Sequence, residues 1–285
     1  MYDAAKGVLR KLSDINSAID ETQMCEMKPV KYTSSDGMEI NGYLTLPLYS
    51  KGKNLPVVVI PHGGPGQRNT WGYNAEVQFF ANRGYAVFQV NYRGSSGYGK
   101  NFYAAGFKQW GGKVQDDIDD GVKWLIANKI ADPKRIAIYG TGFGGYIALN
   151  SAIKNPELYK CVASNSGVLN LFNYLISIPP FLRSNLQMYY DIVGNPDTDV
   201  EYMRRASPVF HADKINMPIF IAQNNKDPRI NASDAIRLVK ELKKRNVPVT
   251  YYQKEDIPFS PNREEGRQKL YTALEQFMES NLKKK

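Results

Sequence analysis

Runs of apolar residues alternating with helical patterns constrain this chain more than any single motif does. Leu55–Ile60, Tyr85–Asn91, Arg135–Tyr139 and Pro218–Ala222 are largely apolar runs, and Val249–Tyr252 is a shorter one. Strands that are apolar on both faces belong in a parallel sheet covered by helices. Between the runs, Ile118, Val122 and Leu125 recur at helical spacing, and Ile236, Val239 and Leu242 repeat every three residues. Leu270, Leu274 and Phe277 follow the 3.6-residue period. Ahead of these, Val30–Thr33 and Glu39–Leu46 flank the turn signal Ser34-Ser35-Asp36-Gly37, which predicts a hairpin. Strand–helix alternation on this scale means one α/β layered domain, placed at residues 26–285. Residues 1–25 are polar and read as a leading helix or linker. The segment Leu171–Tyr202 interrupts the alternation, either as a helical flap over a cleft or as a longer crossover.

Composition removes several classes of function. Two His and two Cys in 285 residues argue against a His/Cys metal cluster or a disulfide scaffold. The net charge of +9 rests partly on Lys283, Lys284 and Lys285 and on Lys240, Lys243, Lys244 and Arg245. It gives a basic surface, and without a recognisable module it implies no nucleic-acid partner. No run approaches the roughly 18 apolar residues of a membrane span, and residues 1–25 lack a signal peptide's apolar core. The chain therefore reads as soluble, with its compartment open. The cluster Asp116, Asp117, Asp119 and Asp120 opens a helix and reads as a dipole-favoured, solvated surface, so no metal is expected.

The glycine-rich stretch Gly140-Thr141-Gly142-Phe143-Gly144-Gly145 follows the Arg135–Tyr139 strand and opens a helix at Tyr146-Ile147-Ala148-Leu149. Gly140, Gly142 and Gly145 match a dinucleotide fingerprint, but Glu157, the acid in range, sits in a turn; no cofactor is expected. The context fits better a nucleophile elbow, G-x-S-x-G, whose central Ser stands above the sheet. Here the central residue is Gly142, so the turn is kept and the oxygen is absent. His62-Gly63-Gly64-Pro65 follows another strand. The backbone N–H groups of Gly64 and Phe143 form a pair suited to a small anion. The alternative is a structural turn with an internally bonded His62. Asp227 lies just beyond a strand, where an acid can orient a His or cap Arg229 or a nearby amide. The stretch in which that His belongs, Tyr252–Phe259, contains none. Thr141, Ser164, Ser166, His62 and His211 are the remaining hydroxyls and imidazoles to weigh. Tyr98, Tyr103, Trp110, Phe172, Tyr174 and Phe181 line a cleft or fill the core.

Five stretches in order, SSDGMEINGYL, VVVIPHGGPG, FANRGYAVFQVNYRGSSGYG, DPKRIAIYGTGFGGYIAL and DKINMPIFIAQNNKDPRI, carry a resemblance from about Lys28 to Leu282. They resemble the catalytic domain of the prolyl oligopeptidase family of serine peptidases, especially its acylaminoacyl-peptidase and dipeptidyl-peptidase branches. The resemblance implies an α/β-hydrolase fold, a mostly parallel eight-stranded sheet flanked by helices. It also implies an N-terminal β-propeller, which this chain does not contain. It places the family's nucleophile on Gly142, its triad Asp on Asp227, its His on Ile257 and its oxyanion loop on His62–Pro65. Asp256 and Pro258 stand where glycines usually flank that His. The family includes noncatalytic members that bind or assist other proteins, and this chain is similar to them. A noncatalytic domain that binds a peptide, a small acyl compound or a protein partner is expected. The alternative is an active peptidase or esterase using an unconventional residue pair.

Overall fold

Val57, Val58 and Val59 are all completely buried, which a strand achieves only when both faces of its sheet are covered. The computed structural model describes residues 2–10, 19–64, 66–225, 227, 229–254 and 264–283. In chain order the strands are β1 (Tyr2–Asp3), β2 (Val8–Leu9), β3 (Met27–Thr33), β4 (Glu39–Thr45), β5 (Leu55–Val59), β6 (Ala86–Asn91), β7 (Ala131–Thr141), β8 (Cys161–Asn165), β9 (Ile219–Asn224) and β10 (Val249–Lys254). The helices are α1 (Ala75–Asn82), α2 (Lys100–Ala104), α3 (Lys113–Ala127), α4 (Phe143–Lys154), α5 (Leu171–Ile176), α6 (Leu186–Val193), α7 (Val200–Arg205), α8 (Ala232–Lys244) and α9 (Glu264–Leu282).

Eight strands form one sheet in the order β10-β9-β8-β7-β5-β6-β4-β3. Within it β4 runs antiparallel to both β3 and β6, and every other pairing is parallel. Alternation along each strand divides the core in two. Val57, Val59, Ile136 and Ile138 meet Ile118, Ile147 and Leu238 of α3, α4 and α8. Val58, Ala137 and Tyr139 meet Phe80 of α1 and Leu274 and Phe277 of α9. This is the α/β-hydrolase arrangement, with the β3–β4 hairpin at one edge. Parallel strands bring the ends of β5, β7, β8 and β9 to a common edge, where the candidate site lies.

The N-terminal segment is described in part, and one expectation is corrected. Among the described residues of 1–25 there is no α-helix: β1 and β2 pair as a short antiparallel ribbon, and Glu21–Gln23 is a 3₁₀ turn. The Asp3 carboxylate accepts from the N–H groups of Ala5 and Lys6, both at 3.2 Å, a local turn that competes with helix. The acid cluster on α3 is not a solvated surface throughout, because Asp117 and Asp119 are fully buried. Arg93 reaches Asp117 with Nε at 2.8 Å and Nη2 at 2.6 Å, and its backbone N–H adds a bond of 2.9 Å. Asp119 accepts from the Tyr159 hydroxyl at 2.5 Å and from Asn155.

The segment between β8 and β9 is both helical and a crossover, with α5 and α6 joined by a 3₁₀ turn and two more 3₁₀ turns following α7. Among the described residues, no helix is long and apolar enough to cross a membrane.

Candidate functional site

The elbow is built by close backbone approach. A Cβ on Gly140 would overlap the backbone of Gly144, and one on Gly144 would overlap the carbonyl oxygen of Pro61. A Cβ on Gly145 would lie 2.7 Å from Ser164 Oγ. These glycines let α4 start directly on top of β7. Gly142 differs, because a Cβ there would meet nothing within 4 Å. Its backbone has φ +59° and ψ −119°, and its N–H donates to the Asn165 carbonyl at 2.9 Å. The strained geometry of an elbow tip is thus retained, and glycine adopts it without the Cβ penalty. Phe143 follows as the first residue of α4, so its N–H is among those without an intrahelical acceptor.

The 62–64 loop lies against this turn. A Cβ on Gly64 would come within 3.7 Å of the Phe143 ring, and one on Gly63 within 3.9 Å of the Thr141 carbonyl oxygen. His62 is turned inward and 7% exposed. Its Nδ1 lies 2.6 Å from the Gly63 carbonyl and its Nε2 2.7 Å from Ser95 Oγ. The Ser95 hydroxyl donates to the Tyr92 carbonyl at 2.6 Å, which leaves its oxygen to accept from His62 Nε2–H. The Tyr92 hydroxyl donates to the His62 carbonyl at 2.9 Å, and its ring stacks on the imidazole at 4.2 Å. Burial pushes the imidazole down to about 4. His62 therefore orders its own loop, with both ring nitrogens lying against protein partners.

Asp227 sits beyond β9 at the same edge. Its Oδ1 accepts from the N–H groups of Arg229 at 2.9 Å and Ile230 at 3.1 Å, so it caps its own turn. The flap closes on this turn through Ser177, whose hydroxyl donates to the Arg229 carbonyl at 2.8 Å. Ile257 and Pro65 lie outside the described residues.

The other hydroxyls are placed as follows. Thr141 Oγ1 is 3.3 Å from both the Tyr139 hydroxyl and Asn165 Nδ2. Ser164 is buried within β8, and Ser166 just after it has φ +50°. Of the aromatics, Trp110 is core; its ring centroid lies 4.4 Å from Phe143 and 6.3 Å from Tyr174. Tyr103 and Phe143 line a crevice of about 10 Å³, room for a single water. Phe181 is exposed. Tyr92, Ser95 and Ser177 hold the site's loops, and no local sequence pattern marks them.

A sequence profile of the prolyl oligopeptidase family matches residues 71–285. The chain belongs to the prolyl oligopeptidase family. It is 35% identical over 259 residues to dipeptidyl aminopeptidase BIII of Pseudoxanthomonas mexicana, covering 88% of this chain and 38% of that protein. Among solved structures, the acylaminoacyl peptidase of Pyrococcus horikoshii superimposes with a TM-score of 0.85 at 26% identity, covering 97% of this chain and 45% of that one. A structure of acylaminoacyl peptidase in complex with Z-Gly-Gly-Phe-chloromethyl ketone matches with a TM-score of 0.84 at 26% identity, covering 97% of this chain and 45% of that one. The chain thus spans less than half the length of these family members.

Proposed function

We propose that this chain is a noncatalytic, peptidase-like member of its family that binds a peptide or small acyl compound beside the elbow. The observation that carries the reading is the elbow tip. Gly142, at φ +59° and ψ −119° in the strand-to-helix turn, supports reading it as the family's nucleophile position, and glycine has no atom with which to attack. The family's base falls on Ile257, which cannot accept a proton, so covalent catalysis at this turn has no participant. His62 offers no substitute, because its ring is buried and bonded to Gly63 and Ser95.

What remains suits binding. The amides of Gly64 and Phe143 flank the turn and favour a carboxylate or carbonyl oxygen there. The blocked peptide bound by an acylaminoacyl peptidase supports a peptide-like ligand. The greater length of the relatives supports a β-propeller or other protein partner for the domain.

The experiment has two readouts on the unmodified chain. A fluorophosphonate probe is expected to leave no adduct in intact mass spectrometry. Titration with the peptide acid Z-Gly-Gly-Phe is expected to give saturable heat. A serine- or threonine-linked adduct would overturn the noncatalytic reading, and no heat from the peptide acid would overturn the ligand class.

A further inference from the structure

A second cavity, of about 660 Å³, opens between α7 and α8 and shares no lining residue with the elbow or the 62–64 loop. Its size falls in the range of roughly 300–1,000 Å³ common for small-molecule sites. Four guanidinium groups line it: Arg204 and Arg205 from the last turn of α7, Arg237 from α8, and Arg245 at the C-cap of α8. Arg204 and Arg237 reach the same Phe210 ring from different helices, at 5.0 and 5.7 Å from its centroid. That contact orders both side chains in advance, which reduces the entropy cost of binding. Arg245 is fixed by donating to the Asp213 carbonyl at 2.7 Å.

Arg83, Arg93 and Arg135 are paired with carboxylates. Among the described residues, Arg204, Arg205 and Arg237 have no carboxylate within 4.0 Å. His211 stands in the same wall, and its Nε2 is buried with no hydrogen-bond partner. Three carboxylates also line the cavity. Glu241 is held by Lys244 at 2.8 Å, which leaves Glu201 and Asp213 facing the same space.

We propose that this groove binds a small phosphate ester that carries hydroxyl groups. Planar guanidinium forks match phosphate oxygens two at a time. Glu201 and Asp213 repel a bare polyanion but accept hydrogen bonds from hydroxyls on the same ligand. The groove is open to solvent, but Arg204 and Arg237 converge on one Phe210 ring, an arrangement that suits a compact ligand.

Titration calorimetry on the full chain with ribose 5-phosphate, near 0.15 M salt, tests this. Saturable one-to-one binding with Kd below about 1 mM is expected. The double substitution Arg204→Gln, Arg237→Gln should weaken it at least about tenfold, and Lys269→Gln should leave it unchanged. Both arginines are exposed; the charge-conserving pair Arg204→Lys, Arg237→Lys gives a second test of the fork geometry, with weakening expected. Absence of saturable heat, or binding indifferent to both double variants, would overturn the site. Inorganic phosphate binding as tightly as the ester would overturn the ester assignment. An oligonucleotide binding in place of ribose 5-phosphate would overturn the small-molecule assignment.

Discussion

The Cα of Gly144 lies so close to the carbonyl oxygen of Pro61 that a Cβ on it would overlap that oxygen. This approach joins the elbow helix to the 62–64 loop, and backbone cannot yield as a flexible side chain does. Gly144→Ala is therefore expected to destabilise the fold by about 2–3 kcal/mol through overpacking. Urea denaturation checks it, and a loss below about 1 kcal/mol would show that the two loops move apart freely.

Gly142 makes the contrast. Its φ of +59° imposes strain on any side chain, but a Cβ there has open space. Gly142→Ser is expected to cost about 1–3 kcal/mol, the penalty of a side chain held in a sparsely populated backbone conformation. On the proposed reading, in which the family's base position falls on Ile257, the variant should gain little hydrolysis of activated esters over the unmodified chain. A rate gain of several orders of magnitude would place another base within reach of the new hydroxyl.

Arg93 bridges two acids. It holds Asp117 in the core and donates to the Asp36 carboxylate at 2.8 and 2.9 Å. Truncation would leave the fully buried Asp117 uncompensated. Arg93→Met should cost about 3–5 kcal/mol, a large share of a domain's stability. Arg93 also keeps the Asp36 carboxyl well below the usual carboxylate range. The stabilisation from Asp36 is thus present above its unfolded pKa and lost as acid protonates it. Asp36→Asn should shrink the unfolding response below about pH 4, seen by acid titration of circular dichroism.

These buried acids show where sequence reasoning stops. Apolar runs such as Val57–Val59 and Ile136–Ile138 announced their strands, because burial on both faces leaves a mark in every residue. The glycine turn was legible for a related reason: Gly140 is forced by the close approach of Gly144 within the same motif, whereas Gly144 and Gly145 meet Pro61 and Ser164 of other elements. Asp117 and Asp119 were not, since their partners Arg93, Asn155 and Tyr159 lie on other elements and carry no periodic signal. The N-terminal ribbon left no signal, since β1 and β2 are two residues each and too short to carry an alternation. The inward fixing of His62 was open in the sequence as an alternative, but Tyr92 and Ser95 could not be named as its partners.

Asp119 makes a pH prediction with a definite sign. Burial raises its carboxyl to about 7, against a hydrogen-bonding contribution from Tyr159 and Asn155 that lowers it. Between roughly pH 4 and 7 the folded chain therefore holds a proton that the unfolded chain has released, and stability falls as pH rises. His62 acts oppositely. Its ring titrates near 4 when folded, so its contribution is complete above about 6.5 and is lost on acidification toward 4. Comparing Asp119→Asn with the unmodified chain isolates the first group. The difference in unfolding free energy should shift in favour of the variant by about 3–4 kcal/mol from pH 4 to 7, then level off. A difference that stays flat would mean Asp119 is ionised throughout.

The flap is held at its base by a pair that can be cut separately. Asn173 Nδ2 on α5 donates to both carboxylate oxygens of Asp234, at 3.0 and 2.8 Å, and Asp234 is buried in the first turn of α8. Losing the donor leaves a buried carboxylate short of a partner, at a cost of about 1–3 kcal/mol. That loss falls on α5, whose other anchors include Leu171 and Leu175 in the core, the Leu171 N–H on Ser207 Oγ and Ser177 on the Arg229 carbonyl. Asn173→Ala should therefore speed hydrogen exchange of the 171–176 amides by about tenfold or more, with β7 and α4 unchanged. Asn173→Asp separates charge from simple loss of contact: it keeps the volume and sets a second carboxylate against Asp234. Its exchange should exceed that of the alanine variant at pH 7. Equal exchange in the two variants would mean that Asp234 does not hold the flap electrostatically.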